Sequence, residues 1–535
     1  LLSTSCTIVI VSGPSTVSVG DTVTYVLDLA NNFGGDSNVA LYVIADVPAG
    51  WTLLSSTFDA VIDGVPTSGE GSLSGATPCG TLTGDVLPGF QRLVLFAGPF
   101  ATVTGNDTGT ATLELDVGSQ PAGEFKIFFR FAGSGTNGGD CSEAAVRTIN
   151  RDGADFLTFV GALFDGVGGV DGLSSPRSLT ASPDGRHVLA ADDIGDSLAV
   201  FSRDEYTGEL AFVEALIDGA GGIDGLNGAN SAAVSPDGTH VYATAFGDDA
   251  LTVFSRDEAT GELTQVQVLV DGVGGADGLG QASHVAISPD GKHVYTAALE
   301  HAIAVFARDQ LSGELTFVEV LFDGVAGVDG LEGANTVAVS PDGLHVYAAA
   351  LFDEALSVFS RDPESGELTF VEALFEGVGG VEGLSGLSSL ALTADGRHLY
   401  TAAAGLPDAV GVFSRDAKTG ELEKVEVQVH GSGGVFGLEH PTSVTVATDG
   451  GHVFAGGINS VVVFARDPDT GALTFVEAQF QGDPPNQGLD GTSALTTVPG
   501  DRHLYAASTV DDALVTFGAS LIFADGFESG DLSRW

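Results

Sequence analysis

The 535-residue chain has no methionine, two tryptophans and three cysteines, and the cysteines, Cys6, Cys79 and Cys141, all fall in the first 141 residues. Three thiols leave room for one disulfide and one odd cysteine, with Cys79–Cys141 the preferred pair, and they exclude a disulfide-built scaffold. Positive charge is also scarce. Lys plus Arg number 19 against 72 Asp plus Glu, a formal charge of -53, and only Lys126, Lys292, Lys418 and Lys424 are lysines. A surface that grips a phosphate backbone needs a dense basic patch, so nucleic-acid binding is excluded as a role. An anionic membrane surface is disfavoured for the same reason. No run approaches the roughly 18 apolar residues that a membrane-spanning helix needs. No initiator methionine or basic segment precedes Leu1, so the expectation is an exported bacterial chain whose signal has been removed. It is placed outside the cell or on its outer surface.

What the chain does have is apolar residues (43%) and 76 glycines, which together exclude a disordered acidic polymer. It also repeats itself. An Asp-Gly pair or its degenerate form recurs at Asp184, Asp237, Asp290, Asp342, Asp395, Asp449 and Gly500, at intervals of 53, 53, 52, 53, 54 and 51 residues. A histidine follows each: His187, His240, His293, His345, His398, His452 and His503. Each unit carries four short runs of strand chemistry and no useful helical periodicity. Ser-Pro-Asp-Gly supplies one tight turn and Arg-Asp-x-x-Thr-Gly-Glu-Leu the next hairpin, as at Arg256–Leu263. Four strands repeated seven times read as a seven-bladed β-propeller; the rungs of a parallel β-helix are much shorter.

The ends of the array test that reading. An outer-strand pattern appears at Leu157–Val160 before any inner strand, whereas the seventh unit ends without one. Phe156–Phe164 is therefore expected to complete the last blade and close the ring, removing an exposed edge. Residues 1–148 differ: Val17, Val19, Val23, Tyr25, Leu27 and Leu29 alternate with mostly polar neighbours, and Gly and Pro-Ala-Gly turns separate later strand-like runs. The expectation is an all-β chain: an immunoglobulin-like β-sandwich over 1–148, a propeller over 149–518, and a tail over 519–535 that docks on a neighbouring subunit.

The repeat Ser-Pro-Asp-Gly-x-His-Val-Tyr, then Val-Phe-Ser-Arg-Asp and Thr-Gly-Glu-Leu-Thr-Phe-Val-Glu, resembles the lactonase-like seven-bladed propellers of secreted bacterial proteins over about 151–518. That resemblance implies the fold and, less directly, lactone hydrolysis; no catalytic motif transfers residue by residue. Gly20-Asp21-Thr22-Val23-Thr24-Tyr25, Asn31 and Val47-Pro48-Ala49-Gly50 resemble an immunoglobulin-related bacterial surface-protein module. This second resemblance implies an exported stalk or adhesive unit.

In a propeller the outer-to-inner and second-to-third connections emerge on one face. Here the former contribute Asp165, Asp218, Asp271, Asp323 and Glu376, then Asp171, Asp224, Asp277, Asp329 and Glu382. The latter add Asp192, Asp193, Asp248, Asp249, Asp353, Glu354, Asp511 and Asp512. Hard oxygen donors on flexible glycine loops suit Ca²⁺, at Asp165, Asp171, Asp218, Asp224, Asp271, Asp277, Asp323 and Asp329. The plainer reading is that each Asp caps its own turn. The seven histidines are read as hydrogen-bonding within their blades, and Arg256 and Glu262 as bracing the hairpin on the opposite face. Departures from the repeat carry more information. His430 replaces an acidic loop residue, Glu439 and His440 precede an inner strand, His301 sits among acidic counterparts, and Arg177 and His284 begin inner strands. Two functions follow. The first is a non-enzymatic surface protein, adhesive or assembling into a filament by tail or strand docking, with another copy, a glycan or a peptide as partner. The alternative is a secreted lactonase-like hydrolase on the acidic face, with His430 or His440 as general base, Glu439 and His301 as further catalytic candidates, and a carboxylate-bound divalent ion polarising the lactone carbonyl.

Overall fold

The Ser-Pro-Asp-Gly segments form tight turns because the hydroxyl and the carboxylate satisfy the turn locally. In the second repeat Ser235 Oγ donates to Asp237 at 2.6 Å and accepts the His240 N–H at 3.0 Å, while the Gly238 N–H reaches the Ser235 carbonyl at 2.8 Å. Each turn joins an inner strand to a second strand whose six residues are almost all buried, such as His240–Ala245. A third strand, Ala250–Arg256, and an outer one, Leu263–Val270, complete an antiparallel meander.

The computed structural model describes residues 156–482, 486–498 and 503–519 with their side chains, and within the first 151 residues the backbones of the strands. The cysteine side chains and residues 520–535 lie outside the described residues, and with them the disulfide and tail-docking expectations. The chain divides into two units, Leu1–Asp155 and Phe156–Trp535.

The first unit contains a five-stranded sheet, ordered Cys6–Ser12, Thr22–Asn31, Thr108–Asp116, Thr52–Ile62 and Val65–Glu70. A six-stranded sheet runs from Thr16–Val17 through Glu143–Arg151, Gly123–Gly133, Ala40–Pro48 and Phe90–Pro99 to Ser72–Leu73. The unit is all-β. An immunoglobulin sandwich has about seven to nine strands, and these two sheets, with a parallel pair at one edge, do not establish that narrower assignment.

The second unit is a seven-bladed propeller. Seven four-stranded sheets follow one another, and their inner strands neighbour one another in a closed ring that returns from Thr492–Thr497 to Pro176–Ala181. Leu157–Phe164 pairs antiparallel with Ala513–Ala519, Phe164 opposite Ala513, as the outer strand of the last blade. Its first amides are held by the preceding blade: Glu477 accepts the Phe156 and Leu157 N–H groups at 2.8 and 2.7 Å. The same device recurs where no closure is needed, as when Glu319 accepts the Leu368 N–H at 2.6 Å. Closure by an N-terminal strand therefore follows the expected design.

The histidines bond within their blades through the backbone, as the His240 N–H does to Ser235, but six of the seven imidazoles face the next blade, where an arginine ends the third strand. Arg308 donates from Nε to Tyr242 Oη (2.7 Å), from one Nη to the Gly291 carbonyl (3.0 Å), and from the other to Asp237 (2.9 Å) and His240 Nδ1 (2.9 Å). Tyr242 Oη then donates to the Gly313 carbonyl, back in the arginine's blade. Arg361, Arg415 and Arg466 repeat this latch on His293, His345 and His398, and Arg203 joins His503 and Tyr505 across the ring seam. Expected to brace its own hairpin, Arg256 instead crosses to Asp184 and His187. Burial and then the guanidinium hold these imidazoles below their ordinary pKa. Gly313 is required here: its φ is +78°, and a Cβ would lie 2.1 Å from the His240 ring.

Candidate functional site: the acidic loop face

The opposite face is built from the glycine-rich loops. In each, the first acidic residue folds back onto the loop. Asp165, Asp218, Asp271 and Asp323 accept the N–H groups of Leu173, Leu226, Leu279 and Leu331 at 2.8–3.0 Å, and those leucines are fully buried. Glu376 and Gln481 do the same for Leu384 and Leu489. Gly225 must be glycine: its φ is +80° and a Cβ would lie 2.6 Å from Thr252 Oγ1. The second acidic residues, Asp171, Asp224, Asp277 and Asp329, point to solvent.

Of the eight aspartates with calcium-like chemistry, Asp218 and Asp224 come together, joined by Asp248 from the neighbouring connection. One oxygen from each lies within 4.8 Å of the others, and among the described residues this is the one group of three metal-ligating side chains so close. Asp165, Asp171, Asp271, Asp277, Asp323 and Asp329 form no such group. Asp248 also accepts the Asn227 N–H at 3.0 Å. Burial first, and then the Asp218, Asp224 and Asp196 charges, push its pKa up. Three carboxylates with hard oxygen donors can hold a divalent cation, which would relieve that repulsion.

The residues expected to act as bases separate into two groups. His430 and Glu439 meet on one loop, Nε2 to Oε1 3.8 Å, with the exposed His440 beside them. His430 Nδ1 is buried, so its Nε2 edge faces the carboxylate. His301 belongs to the loop of a different blade. It takes the left-handed position (φ 66°) that Asp249 and Asp512 fill elsewhere, and its Nδ1 accepts the Gly333 N–H at 2.8 Å. That is a loop-bracing role, the one Asp249 plays by accepting the Gln281 N–H.

The inner strands add what the sequence did not single out. Asn230, Ser283, Asn335, Ser388, Thr442 and Ser493 share one register position, next to the loop end of the strand, and Arg177 holds it in the first blade. One position deeper, Ser231 Oγ accepts the Val285 N–H and Ser443 Oγ the Leu495 N–H, stitching inner strand to inner strand. His284 occupies that position in the third blade, its Nδ1 facing the Val337 N–H at 3.5 Å. Burial pushes its pKa down to about 4, so it is neutral at pH 7. The repeat alignment alone could have found this ring.

Residues 227–378 and 378–489 match the family model described as lactonase, 7-bladed beta-propeller. A 6-phosphogluconolactonase of Pectobacterium carotovorum is 28% identical over 199 residues, which are 36% of this chain and 56% of the relative. The enzyme of the same name from Klebsiella pneumoniae is 26% identical over 200 residues, 37% of this chain and 56% of its own length. The chain thus spans little more than half the length of these curated relatives. Among solved structures, a periplasmic gluconolactonase of Pseudomonas aeruginosa superposes with a TM-score of 0.47 at 19% identity, over 67% of this chain and 93% of that one. The fold is that of a seven-bladed lactonase-like propeller. The family-model match and the curated relatives overturn the adhesive, filament-forming reading: what the propeller resembles in them is a set of lactonases, whereas that reading rested on the tail and the front module.

Proposed function

We propose that the propeller is a bacterial lactone hydrolase whose chemistry takes place on the acidic loop face. The observation that carries this is the match of residues 227–489 to the lactonase family model, seconded by the curated relatives. Hydrolysis adds water across the ring ester: water attacks the carbonyl carbon, the ring C–O bond breaks, and the freed oxygen takes up a proton. A base must receive the proton of the attacking water. The His430–Glu439–His440 cluster supplies one, with Glu439 and His440 exposed to a substrate and His430 behind Glu439 as its positioning partner. Asp218, Asp224 and Asp248 fit Ca²⁺ by donor chemistry, and the ion would add positive charge where the loops lack it. Export of the chain, and an immunoglobulin-like character for its first unit, remain part of this proposal on the sequence motifs of residues 20–50.

The test is acid release from glucono-1,5-lactone in weak buffer, with and without added Ca²⁺. Acceleration over the buffer rate is expected. Glu439→Gln with His440→Asn should lower kcat by about 10²–10⁴-fold at unchanged thermal midpoint. A wild-type rate equal to buffer under both conditions would refute the proposal.

A further inference from the structure

We infer that the substrate of this face is a lactone bearing no phosphate or other anionic group; the inference rests on the hydrolase reading and narrows its substrate class. The two curated relatives named above are 6-phosphogluconolactonases, and a phosphate monoester carries a charge of about -1.5 to -2 at pH 7. Proteins hold such a group with arginine forks, lysines, helix N-termini or concavities of free backbone N–H groups.

The described residues of the loop face offer little of this. Two cations reach it, and each already has a carboxylate: Arg177 Nε lies 3.0 Å from Asp193, and Lys424 Nζ lies 2.9 Å from Glu382. No α-helix occurs among the described residues, so there is no helix N-terminus. In each glycine loop a side chain of the loop already takes one of the backbone N–H groups. The first acidic side chain accepts the Leu N–H, as Asp218 does from Leu226, and loop amides such as Gly219 and Ile223 bond to loop carbonyls. The other cations lie elsewhere. Arg256, Arg308, Arg361, Arg415 and Arg466 are buried in the latches, Arg203 is held in the seam latch by Tyr505, Gly185 and His503, and Arg186, Lys292, Arg397 and Lys418 stand on the turns of the opposite face.

Against this the loop face presents Asp171, Asp224, Asp277, Asp329 and Glu382 to solvent, one loop after another. A phosphate approaching this rim without Ca²⁺ is repelled at long range, and the two cations it meets each already face a carboxylate. An uncharged polyol lactone meets neither penalty. The hydroxyls at the loop end of the inner strands already donate to carbonyls of the next blade, as Ser388 does to Pro441 and Thr442 to Thr492, which leaves their oxygens as acceptors for its hydroxyls, and Val167, Val273, Val325 and Val378 give the loop tips an apolar surface.

The experiment compares glucono-1,5-lactone with its 6-phosphate on the full chain, at ionic strengths of about 0.01 M and about 1 M, where the screening length falls from about 30 to 3 Å. We expect kcat/KM for the phosphorylated lactone to be lower by about tenfold or more at low salt, and the gap to narrow at high salt. Equal or preferred turnover of the phosphorylated lactone would overturn the inference and leave the hydrolase reading standing. A gap that ignores salt would overturn its electrostatic cause. Turnover of neither lactone would overturn the hydrolase reading and the inference with it.

Discussion

Replacing Arg308 by methionine removes the hub of one latch while keeping most of its apolar stem. The guanidinium is fully buried, and it contacts Tyr242 Oη, the Gly291 carbonyl, Asp237 and His240 Nδ1 at 2.7–3.0 Å. Its loss does not strand every partner. Asp237 is 39% exposed and keeps Ser235 and Thr239 as donors, and Tyr242 still donates to Gly313. The Gly291 carbonyl loses its donor, whereas His240 Nδ1 keeps Thr239 Oγ1 at 2.7 Å. One stranded acceptor at about 1–2 kcal/mol, plus lost charge-assisted contacts of about 2–3 kcal/mol, give about 3–5 kcal/mol.

Arg256 provides the internal comparison. In its latch the tyrosine is replaced by Leu189, so the buried Nε has no hydrogen-bond partner, and the contacts to Asp184 lengthen to 3.2–3.3 Å. An arginine that already carries an unsatisfied donor contributes less, and Arg256→Met should cost about 1–2 kcal/mol less than Arg308→Met. Guanidinium denaturation followed by circular dichroism at pH 7 measures both. Equal losses, or a larger one for Arg256→Met, would refute the assignment of the latch energy to these contacts.

Acid should unfold the ring in two stages. His187, His240, His293, His345, His398, His452 and His503 are held below their ordinary pKa by burial first, and in all but His452 by an arginine. The unfolded chain therefore binds more protons than the folded one just below pH 6.5, and stability falls as pH drops through that value, by up to about 1.4 kcal/mol per pH unit for each histidine. A second loss follows below pH 3.8. There burial opposes the charge of Asp290, but Ser288, the Lys292 N–H and Arg361 together bring its pKa down to about 2. A melting temperature that stays flat from pH 7 to 5 would exclude the first stage. At the ring seam, Glu477→Ala strands two N–H groups where Glu319→Ala strands one, so it should cost about 1–3 kcal/mol more. It should also speed amide exchange selectively in 157–164, and uniform exchange would contradict the role given to Glu477.

The blades, their turns and the closing strand could be read from the sequence because repetition puts the same residue at the same structural place seven times. Repetition also concealed the latch. Arg256 and His187 are 69 residues apart, Arg308 and His240 are 68, and the histidine recurs in every period and the arginine in all but one, so the spacing cannot say whether an arginine serves its own blade or the one before. Only the departures break that degeneracy, and the clearest is at the seam. Blade seven has Gly518 where the other third strands end near an arginine, because its outer strand arrives from the front of the propeller. His452 accordingly has no arginine. Its Nδ1 is buried without a hydrogen bond, and Phe156 covers its ring at 4.2 Å. The candidate site was legible to the same degree. His430 and Glu439 share one loop and could be paired on paper, whereas Asp248 joins Asp218 and Asp224 only because two connections of one face converge. The activity lay furthest from view, since a propeller holds any chemistry its loops provide. What the loops do show is one sign of charge, and that constrains a substrate more firmly than the fold does.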